Sequence, residues 1–496
     1  MTNQNSKFFI STAIPYVNAP PHLGFALEIV QADVLARYYR LKGRDVFFLT
    51  GTDENALKNV LAAKEQGIEV AELVDRNADK FRNLKDTLNL SWDDFIRTTE
   101  ARHTEGAKKF WRAASKDIYK KNYAGLYCVG CEEFKTQKEL VDDRCSEHPR
   151  AKLDKVEEEN YFFRLSSYQN ALEDLIQSRK LNVIPETRRN EVLSFIKQGL
   201  QDFSVSRSQK RAQGWGIPVP GDEAQILYVW FDALTNYITA LGYVQDSEMF
   251  QKYWQGGDYI LHVIGKGVSR FHAIYWPAML ISAGVKLPTH IFVHGYLTID
   301  GQKISKSIGN VIDPVELVKK YGTDPVRYYL LREIPSYEDG DFSFKKFEDR
   351  YNGDLANGLG NLVARVAALG EKLGRVDFDF QKDIEPQIKS ECNRVFAAYE
   401  ECLADIKLNE ALVKVWELIS AADGYINTKK PWAVADQNEF GRVIANACYL
   451  VGVVNNLISP FLPQTAEKIS QQISYRQGGF VVKKGDTLFP RLSSEK

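Results

Sequence analysis

Cysteine is scarce: there are six in 496 residues, and three of them crowd between positions 128 and 145. So thin a supply excludes a disulfide-stapled secreted scaffold. Long hydrophobic runs are also missing. The most apolar stretch, Ala447 to Val454, is broken by Gly452 and followed by Asn455 and Asn456, so no membrane span is expected. Neither charge dominates, since 64 Lys and Arg face 65 Asp and Glu for a net of −1. A uniformly basic nucleic-acid coat is thereby excluded, and any nucleic-acid contact must come from local patches. The apolar run near the start, Phe8 to Ile10, is too short for a signal peptide, and no internal repeat or low-complexity tract is visible. What remains is the balance of a large folded chain: 44% hydrophobic and 26% charged residues, enough for a sizeable core and several domains. A cytoplasmic enzyme is the expectation.

The first ninety residues read as strand, helix, strand. Lys7 to Ser11 is a short apolar run, and a Pro-rich turn from Pro15 to Pro21 follows it. Leu23, Leu27, Val30, Val34, Tyr38 and Leu41 then recur at helical spacing up to Lys42-Gly43. Asp45 to Leu49 is continuously apolar, as a strand buried on both faces is. This pattern predicts an α/β fold with a doubly wound parallel sheet. From 118 to 220 the pattern is interrupted by the cysteines and an acidic run, Glu157 to Glu159, which reads as an insertion. Strand-like runs resume at Ile226 to Val229, Asp258 to Ile264 and His290 to Val293, with a helix over Phe271 to Ile281, and are expected to complete the same sheet. From about Tyr351 helical periodicity takes over, strand signals vanish, and an α-helical bundle is predicted. The expected divisions are 1–117 and 221–296 for the two halves of the sheet domain, 118–220 for the insertion, 297–350 for a connecting region and 351–496 for the helical domain.

Four constellations carry chemistry. In the Pro-rich turn, His22 and Gly24 stand where a strand gives way to a helix, whose free N–H groups and dipole suit an anion. The polar stretch Lys303-Ile304-Ser305-Lys306-Ser307 follows an Asp300-Gly301 turn signal and offers two lysines and two hydroxyls to a polyphosphate. Cys128-x2-Cys131 and Cys145-x2-His148 have the spacing of a closed tetrahedral zinc site with no open position, hence structural. Trp230, and His272 with Trp276 four residues apart on one helix, form an aromatic set. Taken singly each has a plainer reading: a proline turn, a solvated loop, buried thiols and core packing. Cys392, Cys402 and Cys448 lie on helical segments and read as inert core thiols.

In combination these elements resemble the class I aminoacyl-tRNA synthetases, most closely their methionine-specific family. His22-Leu23-Gly24-Phe25 stands at that class's HIGH motif, and Lys303 to Ser307 matches KMSKS at four of five positions. Further family-like strings are Ala13-Ile14-Pro15-Tyr16-x-Asn18, Gly51-Thr52-Asp53-Glu54, Tyr228-Val229-Trp230-x-Asp232-Ala233, Ile264-Gly265-Lys266, Phe271-His272-x3-Trp276-Pro277, Asn361-Leu362-x2-Arg365, Pro431-Trp432 and Leu488-Phe489-Pro490-Arg491. The resemblance implies a Rossmann-type catalytic domain with a zinc-knuckle insertion and a helical anticodon-binding domain. It implies activation of L-methionine with Mg-ATP to methionyl-adenylate and transfer to the terminal adenosine of tRNA(Met).

Carried over residue by residue, it assigns His22, Lys303 and Lys306 to catalysis, and His22, Gly24, Gly265, Lys266, Lys303, Ser305, Lys306 and Ser307 to ATP. Asp53 is assigned to the methionine ammonium. The thioether pocket is assigned to Ile14, Tyr16, Trp230, Ala233, Leu234, Tyr237, Val268, His272 and Trp276. Asn361, Arg365 and Trp432 are assigned to the anticodon, and Cys128, Cys131, Cys145 and His148 to one structural zinc ion. Three positions depart from the family: Phe25 replaces the last His of HIGH, Asn55-Ala56 replace His-Gly, and Gly267 replaces an acidic residue. They raise an alternative, a synthetase-derived tRNA-binding or regulatory protein with impaired activation chemistry. A cytoplasmic monomer without membrane attachment is expected.

Overall fold

A computed structural model of the chain describes residues 6–128, 133–135, 140–145, 152–304 and 309–492. Its backbone organises around strand β1 (Lys7–Thr12), in which every residue after Lys7 is buried. β1 pairs in parallel with β2 (Asp45–Thr52), which pairs in parallel with β3 (Asp94–Arg97). On its other side β1 pairs in parallel with a strand from much later in the chain. With β4 (Asn182–Ile184), β5 (Tyr259–Gly265) and β6 (His290–His294), the order across the sheet is β3-β2-β1-β5-β6-β4. The chain thus winds outward in one direction from β1 and in the other from β5. The carboxyl ends of these two neighbours mark the switch point where open α/β sheets place ligands.

Over the described residues the chain separates into two units. The first comprises Met1–Pro21, Tyr39–Lys85 and Ser91–His294 and holds the sheet. Its core gathers Phe110, Trp111, Phe231, Trp254 and Trp276, all buried. A long antiparallel ribbon also belongs here, with Ile118–Cys128 against Asp154–Phe163. The second unit comprises His22–Tyr38, Asp86–Leu90 and Gly295–Lys496. Three long helices, Pro386–Ala404, Leu408–Lys429 and Gln437–Ile458, pack in succession there. The last is long and apolar enough to cross a membrane by length and composition, but its apolar stretch is mostly buried inside the protein, as in a core helix. Helix α1 (Leu23–Leu41) gives most of its length to this unit. There its buried Asp33 meets the fully buried Arg327 guanidinium at 2.8 Å. Arg327 also donates to the carbonyls of Leu88, Pro460 and Phe461 at 2.8–3.1 Å. A buried cation is tolerable only when its donors are satisfied in this way, and removing it would take a donor from three carbonyls and leave Asp33 to another partner, Arg37 Nε at 2.8 Å.

The parallel sheet and the C-terminal helical region are those predicted, but three details differ. The run at 226–229 does not extend the parallel sheet. Asp222–Leu227 is a strand whose first half is exposed, and it pairs antiparallel with Ser206–Ser208 and Pro218–Val219. The chain then turns at Tyr228 into a short helix, α2 (Val229–Ala233). The sixth strand of the sheet is β4 instead, which has three residues before Pro185 and is too short to show a periodicity. The third difference lies after 351, where the helices are joined by a small antiparallel sheet of Arg375–Asp377, Gly479–Val482 and Ile473–Arg476. Its hairpin turns at Gln477-Gly478, both at positive φ (48° and 81°), as a type I′ turn requires.

Candidate active site

At the switch point in the first unit, the turn after β1 brings Tyr16 beside Asp53, which follows β2. The two residues form a parallel bridge, and the Asp53 N–H donates to the Pro15 carbonyl at 2.9 Å. Asp53 is 1% exposed. The Tyr16 ring lies 6.4 Å from that of Trp230, the second residue of α2. Trp230 stacks on Phe271 at 3.9 Å and meets His272 edge-on at 6.3 Å. Phe271–Tyr275 is a single wide π-turn that leads into the helix Trp276–Ala283. Both His272 and Trp276 thereby pack against Tyr237, with ring centroids at 5.8 and 6.1 Å. Ala233 and Leu234, at the end of α2, are buried. Ile14 and Val268 are partly buried and pack against the same core.

The polarity of this cluster is set by its hydrogen bonds. His272 Nδ1 lies 3.0 Å from the Val268 carbonyl, which can only accept, so Nδ1 carries the hydrogen. Nε2 then accepts from the Tyr237 hydroxyl at 2.7 Å. Burial holds the His272 pKa down to about 4, so the ring is neutral at physiological pH. Beneath Tyr237 lies His262, with its ring centroid at 4.1 Å and Nδ1 2.7 Å from Ser11 Oγ. Burial, then neighbouring His272, push its pKa well below the usual value. The result is a cluster of uncharged rings around Trp230 and Trp276, with a buried carboxyl group, Asp53, on the strand end beside Tyr16, whose ring also carries Lys58 Nζ at 4.9 Å. Such a surface suits a polarizable thioether carried on an ammonium-bearing chain. His262 was not singled out in the sequence, although a lone His inside the apolar run Tyr259–Gly265 was a visible signal. Gly265 ends β5, and the half-buried Lys266 opens the turn that carries Val268.

In the second unit, the Gly24 N–H donates to His22 Nδ1 at 3.0 Å, which leaves Nε2 as the donor nitrogen. A Cβ on Gly24 would approach His22 Cε1 to 2.9 Å, so the glycine keeps this turn tight. The Gly24 position also lies 3.8 Å from Ile304 Cδ1, and the Leu23 N–H donates to the Ile312 carbonyl at 3.2 Å. The start of α1 thus adjoins Ile304 and Ile312. Lys303 is exposed on a short strand opposite Thr298, after a hairpin whose Asp300 and Gly301 both have positive φ. Ser305, Lys306 and Ser307 lie outside the described residues.

Further along this unit, helix α3 (Asn361–Gly370) presents the exposed Asn361 and, one turn on, Arg365. Arg365 donates to Asp423 at 2.9 Å and to Asn427 at 2.7 Å, and its guanidinium lies 5.9 Å from the Trp432 ring centroid. Trp432 is 57% exposed. Of the four cysteine-motif residues, Cys128 and Cys145 are buried, while Cys131 and His148 lie outside the described residues. Among the described residues no group of three His, Cys, Asp or Glu side chains is placed to hold a metal.

The family described as tRNA synthetases class I (M) matches this chain over residues 8–367, which include the parallel sheet and its switch point. The anticodon-binding domain of tRNA ligase matches residues 385–490. The methionine–tRNA ligase of Brucella suis biovar 1 is 43% identical over 93% of this chain and 91% of its own length. That of Thermotoga maritima is 42% identical over 95% of this chain and 76% of its own. Among solved structures, Mycobacterium tuberculosis methionyl-tRNA synthetase in complex with methionyl-adenylate superimposes with a TM-score of 0.92. It is 38% identical and covers 98% of this chain and 99% of its own. The chain belongs to the methionine–tRNA ligase family of class I tRNA synthetases.

Proposed function

We propose that this chain is an ATP-dependent methionine–tRNA ligase. In the first step the methionine carboxylate attacks the α-phosphorus of ATP and pyrophosphate leaves. In the second, the terminal ribose hydroxyl of tRNA(Met) attacks the adenylate carbonyl and AMP leaves. Neither step needs a covalent enzyme intermediate, so the protein's contribution is positioning and stabilisation of phosphate charge. Mg²⁺ travels with ATP and neutralises part of that charge. The observation that carries the reading is the cluster of uncharged rings of Trp230, Tyr237, His272 and Trp276 close to buried Asp53, which in this proposal forms the methionine recess. In this reading Asp53 holds the ammonium, while Ile14, Tyr16, Ala233, Leu234 and Val268 complete the thioether wall. His22, Gly24, Lys303, Ser305, Lys306 and Ser307 serve the phosphates, and Gly265 and Lys266 serve the nucleotide. Asn361, Arg365 and Trp432 read the anticodon, since an aromatic face beside a guanidinium is what a splayed base stacks on.

The proposal extends to one structural zinc held by Cys128, Cys131, Cys145 and His148. Support comes from the ligand spacing and from two buried thiols of the right chemistry, and metal analysis of purified protein tests it. It extends also to a cytoplasmic monomer, which light scattering and cell fractionation test. Methionine-dependent ATP–pyrophosphate exchange decides the activity. Wild type should exchange, and Lys306→Ala should be slower by about 10²-fold, the effect of losing one charge-stabilising donor. Wild type that binds tRNA(Met) but exchanges nothing would establish the regulatory alternative instead.

A further inference from the structure

The loop after β2 contains one of the departures from the family, Asn55. Its side chain is half-buried, and its amide nitrogen has two acceptors. Nδ2 donates to Asp232 Oδ2 at 2.7 Å and to the Thr98 carbonyl at 3.2 Å. Its backbone N–H points back to Asp53 Oδ1 at 3.3 Å. Asp232 is fully buried on α2, beside Ala233 and two residues after Trp230. Its other oxygen, Oδ1, lies 2.5 Å from Nε2 of His103, a fully buried residue on the helix Ala101–Ala114. His103 Nδ1 in turn lies 2.9 Å from Thr239 Oγ1. Both carboxylate oxygens of Asp232 can only accept, so His103 Nε2 and Asn55 Nδ2 are both donors to it.

A carboxylate taken out of water is strongly unfavourable unless each oxygen finds a donor, and Asp232 finds two, from two different elements. Its position is therefore over-determined, and the Asn55 amide is held in turn. The Asn55 backbone can then present its N–H to Asp53 in only one way. We infer that Asn55, anchored by the buried Asp232–His103 pair, is a positioning residue that orients the Asp53 carboxylate for the methionine ammonium. On this view the departure at Asn55 keeps a side-chain donor and is a substitution within one function. The inference rests on the reading of the recess as the methionine site. His103 and Asp232 are both completely buried and act only through Asn55 and α2.

The test compares two ligands on the full chain: L-methionine, and 4-(methylsulfanyl)butanoate, which has the same thioether and carboxylate but no ammonium. Asn55→Ala should weaken methionine binding and raise its KM about tenfold, as expected for one lost hydrogen bond ordering a charged group. It should leave kcat at saturating methionine within about threefold, and affinity for the ammonium-free analogue within about twofold. Asn55→His should restore methionine binding to within about threefold of wild type. If Asn55→Ala does not fold, Asn55→Ser, which also cannot reach Asp232, reads the same contrast. Equal losses for the two ligands would mean a general structural role and overturn the inference, as would unchanged methionine binding in Asn55→Ala. A wild type that binds no methionine would instead remove the reading of the recess, and this inference with it.

Discussion

Trp276 and Trp432 are both assigned to ligand recognition, yet the first is completely buried and the second 57% exposed. Trp276 sits in the core of the first unit against Phe110, Trp254 and Tyr237. Trp432 stands near Arg365, with solvent on much of its surface. The difference follows from what each must distinguish. A methionine side chain offers little beyond shape and polarizability, so a site proposed to select it is expected to be dry, preformed and uncharged, and the cluster around Trp276 is buried in the core. An RNA base offers a broad π-face and comes with phosphate charge, so an open ring beside a cation suffices and little of it needs burial. Trp276 is thus part of the core whatever it binds, whereas Trp432 adds little buried surface to the fold.

The contrast breaks most visibly in stability. Trp276→Ala should destabilise the protein by about 3–5 kcal/mol, the range for emptying a large aromatic site in a packed core. A denaturant titration that gives less than about 1 kcal/mol would show that the recess is not part of the core. The same region predicts a pH dependence. His272 is held near pKa 4 against an ordinary 6.5, so between those values the unfolded chain binds more protons than the folded one. Stability should therefore be full above about pH 6.5, fall as pH drops from there to about 4, and flatten below. The total loss is roughly 3 kcal/mol from this group, with His262 acting in the same direction. Midpoints of urea unfolding measured across that range check it, and His272→Gln should reduce the slope. Trp432→Ala should behave oppositely: tRNA(Met) binding weaker by about 1–3 kcal/mol, stability within about 0.5 kcal/mol, and pyrophosphate exchange unchanged. Equal damage to exchange and to tRNA binding would make Trp432 a folding residue.

The two regions also differed in how far the sequence exposed them. The strands that carry Asp53 and Lys266 at their ends announce themselves because burial on both faces demands mainly apolar runs, as in Val46–Leu49 and, around His262, Ile260–Ile264. Tyr16, Trp230, His272 and Trp276 were legible only through family-like strings, because their aromatic spacing alone is equally that of core packing, which Trp276 also is. The three-residue β4 carried too little pattern to be seen. The run at 226–229 misled because the chain turns from a strand into α2 within one apolar stretch, and hydrophobicity is blind to that change. The long-range polar partners were not legible at all. His103 meets Asp232, and Asp423 meets Arg365, across long separations in sequence that no local motif spans.

The smallest expected effect concerns that last pair. Arg365 gives one nitrogen to Asp423 and another to Asn427, so its planar fork is fixed beside Trp432 before any RNA arrives. Two opposing consequences follow from an acid at this spot. Asp423 repels incoming phosphates, which would make its removal favourable for every RNA. It also holds the guanidinium in one orientation, which would make removal unfavourable for the anticodon that orientation fits. The side chains are only about one quarter exposed, and burial raises the Asp423 pKa despite the opposing pull of Arg365. The ion pair itself is therefore a modest contributor, of order 1 kcal/mol or less, and geometry should outweigh net repulsion for the cognate RNA. Asp423→Ala should weaken tRNA(Met) binding by about 1 kcal/mol, while Asp423→Asn, which keeps an acceptor for Arg365, loses less than half of that. Non-cognate tRNAs should bind as well as before or slightly better, so the discrimination narrows from both sides. If all tRNAs gain equally, and the gain disappears at high salt, repulsion is the whole effect and Arg365 needs no holding.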